Sequence, residues 1–322
     1  MKKRTRGVRV KKERAEHVRE LLIERGLLAR SLKPSCDGQY VCFPVQTAPE
    51  DMDVGMFEFE QRAGARMPMH RKVSFDVVGN IALIELVEGM SQTSGRELAH
   101  ELLFHHPNIR AVYGKRGVIG ELRIPSLVHL AGEQITHTTH RENGCTFELD
   151  IAKVYFNPRL ATERERVENR IGKNDTVFDM FAGVGPFSIL MAKRSSSRRV
   201  YAAEKNPVAC EYLRANIEKN RVENVHVFEK DVRAHPPIRA DAIIMNLPHS
   251  AHDFLDVAMR AAGQGAHIFC YTISPEAALK ERAARICSEA HRCAVMRDLH
   301  VVKSYAPGVV MACIEMAIKE KC

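Results

Sequence analysis

Residues 177–186 read VFDMFAGVGP. An apolar run predicts a strand over 177–181. Two glycines one residue apart, Gly183 and Gly185, then let the backbone turn sharply and approach a ligand with no Cβ in the way. A lone GxG is common in tight turns, so its meaning depends on the residues downstream of it. VYAAE (200–204), VHVFEK (225–230), ADAIIMNL (240–247) and HIFCYTI (267–273) read as further strands, separated by helical stretches at 207–220, 250–262 and 275–290. Alternation of this kind predicts an α/β fold, a doubly wound and mostly parallel sheet with helices on both faces. Polar residues recur at the ends of these strands. Glu204 stands nineteen residues past Gly185, Asp231 follows the third strand, and Asn246-Leu-Pro248 closes the fourth. Strand C-termini are where open α/β sheets bind ligands, and an acid after the second strand can accept ribose hydroxyls. A nicotinamide site would call for GxGxxG. Here Pro186 removes an N–H directly after Gly185, and no third glycine follows.

Upstream of this core, residues 162–171 read as a polar helix. A hairpin turn at Asn143-Gly144 leads into FELDIAKVYF (147–156). A second turn at Gly79-Asn80 joins FDVVG to NIALIEL, and SGRELAHELLFHH (94–106) reads as a helix that Ser94 can cap. Strand-like segments follow near 114–120 and 127–130. At the start, 12–28 reads as an amphipathic helix ending near Gly26 and 40–45 as a strand, and the Pro-, Met- and acid-rich 46–72 reads as a domain tail with a linker. Three domains are expected: 1–70, 71–143 and 144–322.

The 322 residues carry a formal net charge of +8, and residues 1–35 alone hold twelve Lys and Arg against four Glu. A local basic excess points to a polyanionic partner. No run of about 20 apolar residues exists to span a bilayer, and the basic start lacks a following apolar segment, so a cytoplasmic location is expected. The nine cysteines form no CxxC pair, which leaves reduced thiols as the reading. His137/His140 and His249/His252 have HxxH spacing but no supporting ligands, so no metal site is expected.

DMFAGVGPFSI (179–189), EKNP (204–207), KDVR (230–233) and IIMNLPHSAHDFLD (243–256) together resemble the tRNA (guanine-N1)-methyltransferases of the archaeal and eukaryotic type, which modify position 37 beside the anticodon. HLAGE (129–133), HRENG (140–144), DIAKVYFNPRL (150–160) and VKSYAPG (302–308) extend the likeness over nearly the whole chain. The resemblance implies a class I, Rossmann-like methyltransferase domain preceded by two small α+β domains. It implies S-adenosyl-L-methionine as cofactor and tRNA as partner, engaged at the anticodon stem-loop and outer corner by a monomer. It assigns catalysis to Glu163, Arg123 and Asn246. It assigns cofactor contacts to Asp179, Phe181, Gly183, Gly185, Glu204, Lys205, Asp231, Val232, Asn246 and Pro248, and substrate contacts to Tyr155, Arg159 and Arg164. Ala161-Thr162 stand before Glu163 where the family commonly has glycines, which makes Glu165 a rival for its role.

The assigned residue types suit the reaction. Guanine N1 is protonated and a poor nucleophile, so a carboxylate such as Glu163 is expected to take its proton. Arg123 can stabilise the charge that grows on O6. Asn246, both donor and acceptor, can hold the base edge, and Tyr155 can stack on a nucleotide swung out of its loop. Three alternatives are carried: the wybutosine-pathway aminocarboxypropyltransferase, a bifunctional enzyme that also methylates a wyosine precursor, and a non-catalytic RNA-binding protein on the same fold.

Overall fold

A computed structural model describes residues 2–25, 27–29, 32–49, 51–60, 74–86, 92–196, 198–235, 237–290 and 294–319. The chain divides into two compact units, 1–72 and 73–322.

In the first unit, β1 (Lys2–Lys11) leads through a short 3-10 turn into α1 (Ala15–Glu24). Strands β2 (Ser35–Asp37), β3 (Tyr40–Pro44) and β4 (Val54–Glu60) complete an antiparallel sheet of order β2-β3-β1-β4. The sequence pattern predicts β3 and most of α1 but neither β1 nor β4. The basic start is a central strand: Lys2, Lys3, Arg4 and Arg6 stay exposed while Gly7 and Val8 are buried. Gly7 is required there by space, since a Cβ would lie 2.5 Å from the ring of Phe59 on β4. Thus the stretch 46–72, expected as a domain tail with a linker, contains a strand of the sheet, and its residues 61–72 lie outside the described residues.

The second unit opens with β5 (Phe75–Val78), β6 (Ile81–Glu85), α2 (Gln92–His105), β7 (Ala111–Ile119) and β8 (Ile124–Gly132), whose four strands form a sheet in sequence order. A hairpin of β9 (His137–Glu142) and β10 (Cys145–Asp150) follows. It turns at Asn143 and Gly144, both with positive φ (48° and 73°), as a type I′ turn requires. The outer edge of β10 is closed by side chains, not by a third strand. Asn216 accepts from Glu148 N (2.7 Å) and donates to Glu148 O (3.0 Å), and Asn220 does the same with Thr146 N (2.9 Å) and O (2.6 Å).

The remainder is α3 (Ala161–Glu168), β11 (Thr176–Asp179), α4 (Pro186–Arg194), β12 (Arg199–Glu204), α5 (Pro207–Asn220), β13 (Val225–Glu229), β14 (Ala240–Met245), α6 (Leu255–Ala261), β15 (Ala262–Pro275), α7 (Leu279–Glu289), β16 (Ala294–Ala306) and β17 (Val309–Ile318). Asn216 and Asn220 are therefore residues of α5. The sheet order is β13-β12-β11-β14-β15-β17-β16; the first five strands are parallel and β17 runs antiparallel between β15 and β16. Both faces are buried, and alternate residues serve opposite cores. Val177, Ile244, Phe269 and Tyr271 pack on one side with Phe187 and Leu213, while Phe178, Ile243, Met245 and Ile268 pack on the other with Leu255, Ala258 and Ile286. That two-sided burial is why these strands read as near-continuous apolar runs. No helix among the described residues is long and apolar enough to cross a membrane.

Candidate active site

The C-terminal ends of β11, β12, β13 and β14 open into a cavity of about 470 Å³. Phe181 and Gly183 line it after β11, Glu204 and Lys205 after β12, Asp231 and Val232 after β13, and Asn246 and Pro248 after β14. The turn between β7 and β8 supplies Gly120–Arg123, the segment after β10 supplies Tyr155, and β16 supplies Lys303 and Tyr305.

Two glycines in the first loop have different roles. Gly183 (φ 56°) faces open space, where the nearest atom to an added Cβ is Tyr155 O at 3.9 Å. Its N–H donates to Glu204 Oε2 (2.8 Å), while Glu204 Oε1 accepts from Asn206 N (2.8 Å). The acid after the second strand therefore also fixes the glycine loop, and each oxygen keeps a further lone pair for a ligand. Gly185 (φ 93°) does not line the cavity. A Cβ there would lie 2.4 Å from Leu213 Cδ1, so this glycine serves the close approach of α4 to α5.

Asp179 also lies behind the cavity wall. It is 1% exposed and accepts from Ser188 Oγ (2.7 Å) through Oδ2, while Oδ1 has no partner. Burial pushes its carboxyl up to about 6. On the opposite wall, Arg123 holds a positive φ (54°), a costly setting for a non-glycine residue, with its guanidinium 5.3 Å from the centroid of the Tyr155 ring. His249, next to Pro248, stands 3.3 Å from the Tyr305 hydroxyl. Burial, then the charge of Arg123, hold its imidazole below the usual range. Lys205 is tied to Glu121 at 2.6 Å, linking the second-strand loop to the β7–β8 turn.

Besides Gly185 and Asp179, three expected site residues stand outside the cavity. Glu163 is 4% exposed and accepts a fork from Arg166 (2.7 and 2.8 Å) and a bond from Tyr271 Oη (2.7 Å); His300 Nε2 is 3.7 Å away. Arg164 is buried against Phe156 and Phe187, bonded to Glu142 and to Asn157 O. A guanidinium so enclosed braces the segment carrying Tyr155 and does not face a substrate. Arg159 pairs with Asp76 and Ser74 on the β5 side. Glu165, the rival acid, is half exposed and pairs with Arg194.

Residues 138–297 match the TRM5/TYW2 methyltransferase domain, 7–53 the tRNA methyltransferase 5 N-terminal domain, and 65–136 the TYW2 N-terminal domain. Over 286 residues, covering 84% of this chain and 85% of the relative, the sequence is 42% identical to tRNA (guanine(37)-N(1))-methyltransferase Trm5b of Pyrococcus abyssi (strain GE5 / Orsay). The chain belongs to the Trm5 family of methyltransferases.

Solved structures agree. A complex of aTrm5 with tRNALeu superimposes with TM-score 0.73 at 31% identity, covering 97% of this chain and 99% of that one. The M. jannaschii TYW2 structure in complex with AdoMet gives TM-score 0.59 at 27% identity, covering 76% of this chain and 99% of that one. In this Trm5-family methyltransferase, sequence reasoning missed Glu121, His249, Phe254, Lys303 and Tyr305 as cavity residues. Tyr305 and Lys303 sit in the VKSYAPG motif and His249 and Phe254 in IIMNLPHSAHDFLD, which were the available signals; Glu121 lies in a turn with no pattern of its own.

Proposed function

We propose that this chain transfers a methyl group from S-adenosyl-L-methionine to N1 of guanine 37 in tRNA. The observation that carries the reading is the convergence of Arg123, Asn246, Tyr155 and Glu204 on one cavity at the strand ends, in a chain matched along 84% of its length by a Trm5b relative. The residues present fit the cofactor. Glu204 retains acceptor sites beside Gly183, where a Cβ is absent, and Asp179, directly behind the wall, holds an unpartnered Oδ1 suited to an ammonium group that reaches past the wall. When bound, the sulfonium supplies an electrophilic methyl. Asn246 holds the guanine edge, Tyr155 stacks on the base, and Arg123 stabilises negative charge on O6 as N1 loses its proton.

Glu163 is the base in this proposal, although its carboxylate is engaged by Arg166 and Tyr271. Catalytic hydrogen bonds commonly form only in the substrate complex. Here guanine N1–H must replace one Arg166 N–H, and the Glu163 carboxyl must become reachable from the cavity it stands outside of in the ligand-free protein. Mass spectrometry of nucleosides from unmodified tRNA, after incubation with enzyme and donor, tests the reading. It should yield 1-methylguanosine at position 37, and an aminocarboxypropyl or wyosine product would replace the reading with one of its rivals.

If Asp179 receives the donor's ammonium, cofactor binding is linked to pH. In the ligand-free protein its carboxyl stands at about 6, above the ordinary 3.8. Its contribution to folding is thus full below about 3.8 and is lost as pH rises through about 6. A bound cation favours the ionised form, so donor affinity should rise through the same range with release of a proton. Calorimetry in buffers of differing ionisation enthalpy reads that proton directly. An affinity independent of pH between about 5 and 7, or one unchanged by Asp179→Asn, would remove Asp179 from the site.

The exposed Lys2, Lys3, Arg4 and Arg6 on β1 suit a phosphate backbone. Replacing Arg4 and Arg6 with Ala should weaken tRNA binding at low salt. It should also flatten the log–log salt dependence by roughly one unit for each phosphate no longer neutralised. An unchanged slope would place tRNA recognition elsewhere.

A further inference from the structure

The turn that delivers Arg123 to the cavity is the end of a hairpin whose tip is apolar and uncovered. Ile119 is 63% exposed and Val118 37%. They immediately precede Gly120, the first cavity-lining residue of that turn, and Ile119 pairs with Ile124 in the last rung before it. The β7–β8 register shifts between Lys115 and Val118, so a bulge sets the tip apart from the sheet below it. Gly117 (φ 113°) and Gly120 (φ 65°) bracket the two apolar residues, and a Cβ on either would meet nothing within 4 Å. The tip therefore stands in open space at the cavity mouth. Beside it Arg116 is exposed, with no ion pair among the described residues. An isoleucine held largely in water, with a valine only partly covered beside it, next to a cation and a nucleobase-sized cavity, is poorly explained by folding, because the area left exposed contributes nothing to the core.

We propose that Ile119, supported by Val118, is a wedge that enters the base stack of the RNA loop and occupies the place left by the extruded guanine. This rests on the proposed reaction at a loop guanine. A base can reach Asn246 and Tyr155 only by leaving its stack, and that costs unstacking free energy. Apolar side chains inserted between bases are the known physical means of offsetting such a cost. Arg116 meets the adjacent phosphate and fixes the depth of entry. Ile119 is thus a positioning residue: it touches the neighbours of the target, not the reacting atoms.

The test uses the full chain and a tRNA transcript with 2-aminopurine beside position 37, whose fluorescence rises when the stack opens. Wild-type enzyme should raise the signal on binding. Ile119→Ala should lose most of the rise and slow single-turnover methylation by roughly ten- to fiftyfold, the scale of the aliphatic carbons removed. Dissociation constants for tRNA and donor should stay within about twofold, and Ile119→Leu should restore both signals. On a short unstructured oligonucleotide bearing the same guanine, wild type and Ile119→Ala should react equally. A full fluorescence rise with Ile119→Ala, or an equal loss of rate on both substrates, overturns the wedge. Fluorescence reports the opening without reference to product, so an enzyme that opens the stack through Ile119 but yields no 1-methylguanosine would overturn the proposed reaction and leave the wedge standing.

Discussion

Glu163→Gln should lower single-turnover methyl transfer by roughly 10²–10⁴-fold, the range for removal of a positioned proton acceptor. Glutamine keeps the size of the side chain and can still accept from Tyr271, but it cannot take the N1 proton. The substitution has a second consequence that the structure makes unavoidable. Glu163 neutralises the fork of Arg166, and Arg166 Nη1 is already buried without a hydrogen-bond partner. Losing the carboxylate removes the acid hydrogen-bonded to Arg166 and leaves it Asp298 and Glu315 at 4.0 Å, both shared with Arg170, so the melting temperature should fall as well. The two effects separate cleanly. At a temperature where both proteins are folded and saturated with donor and tRNA, a base is worth orders of magnitude in the chemical step and nothing in either affinity. A purely structural Glu163 gives the reverse: a lowered melting temperature with a near wild-type rate from about pH 6 to 9. That result would return the assignment to another group.

Arg123→Ala should cost roughly 10²–10³-fold in the same step, the scale of one preorganised donor at a developing oxyanion. Its backbone at φ 54° shows that the turn accepts strain to present this side chain beside Tyr155. Arg123→Lys keeps the charge but not the planar fork, and should fall between wild type and Ala. Because deprotonation and stabilisation of O6 are one event, the double variant Glu163→Gln/Arg123→Ala should lose far less than the product of the single losses. Fully multiplicative losses would mean that the two residues act in different steps.

The strand ends were legible because their polar residues interrupt long apolar runs: Glu204, Asp231 and Asn246 stand out against VYAA, VHVF and DAIIM. The Asn143-Gly144 turn was legible because few residue pairs accept two positive φ values. What hid was burial achieved through charge. ATERERVE in α3 reads as a solvated helix, yet Glu163, Arg164 and Glu168 are buried because Arg166, Glu142 and Arg198 meet them. Hydropathy counts a charge as exposed and has no access to a partner far along the chain. The same blindness left β1 without an assigned element, since the sheet exposes its Lys and Arg and buries Gly7 and Val8. That Glu121, Lys303 and Tyr305 share a cavity wall with Arg123 was not legible for a different reason: these residues meet only through the tertiary fold.

Asn216 and Asn220, four residues apart on α5, offer the free edge of β10 an amide and a carbonyl each, at close to the spacing a neighbouring strand would use. An uncovered edge is a template on which another chain can add itself. The helix thus acts as a sham strand that ends the ladder, and the two asparagines protect the protein against assembly into aggregates as much as they support the hairpin.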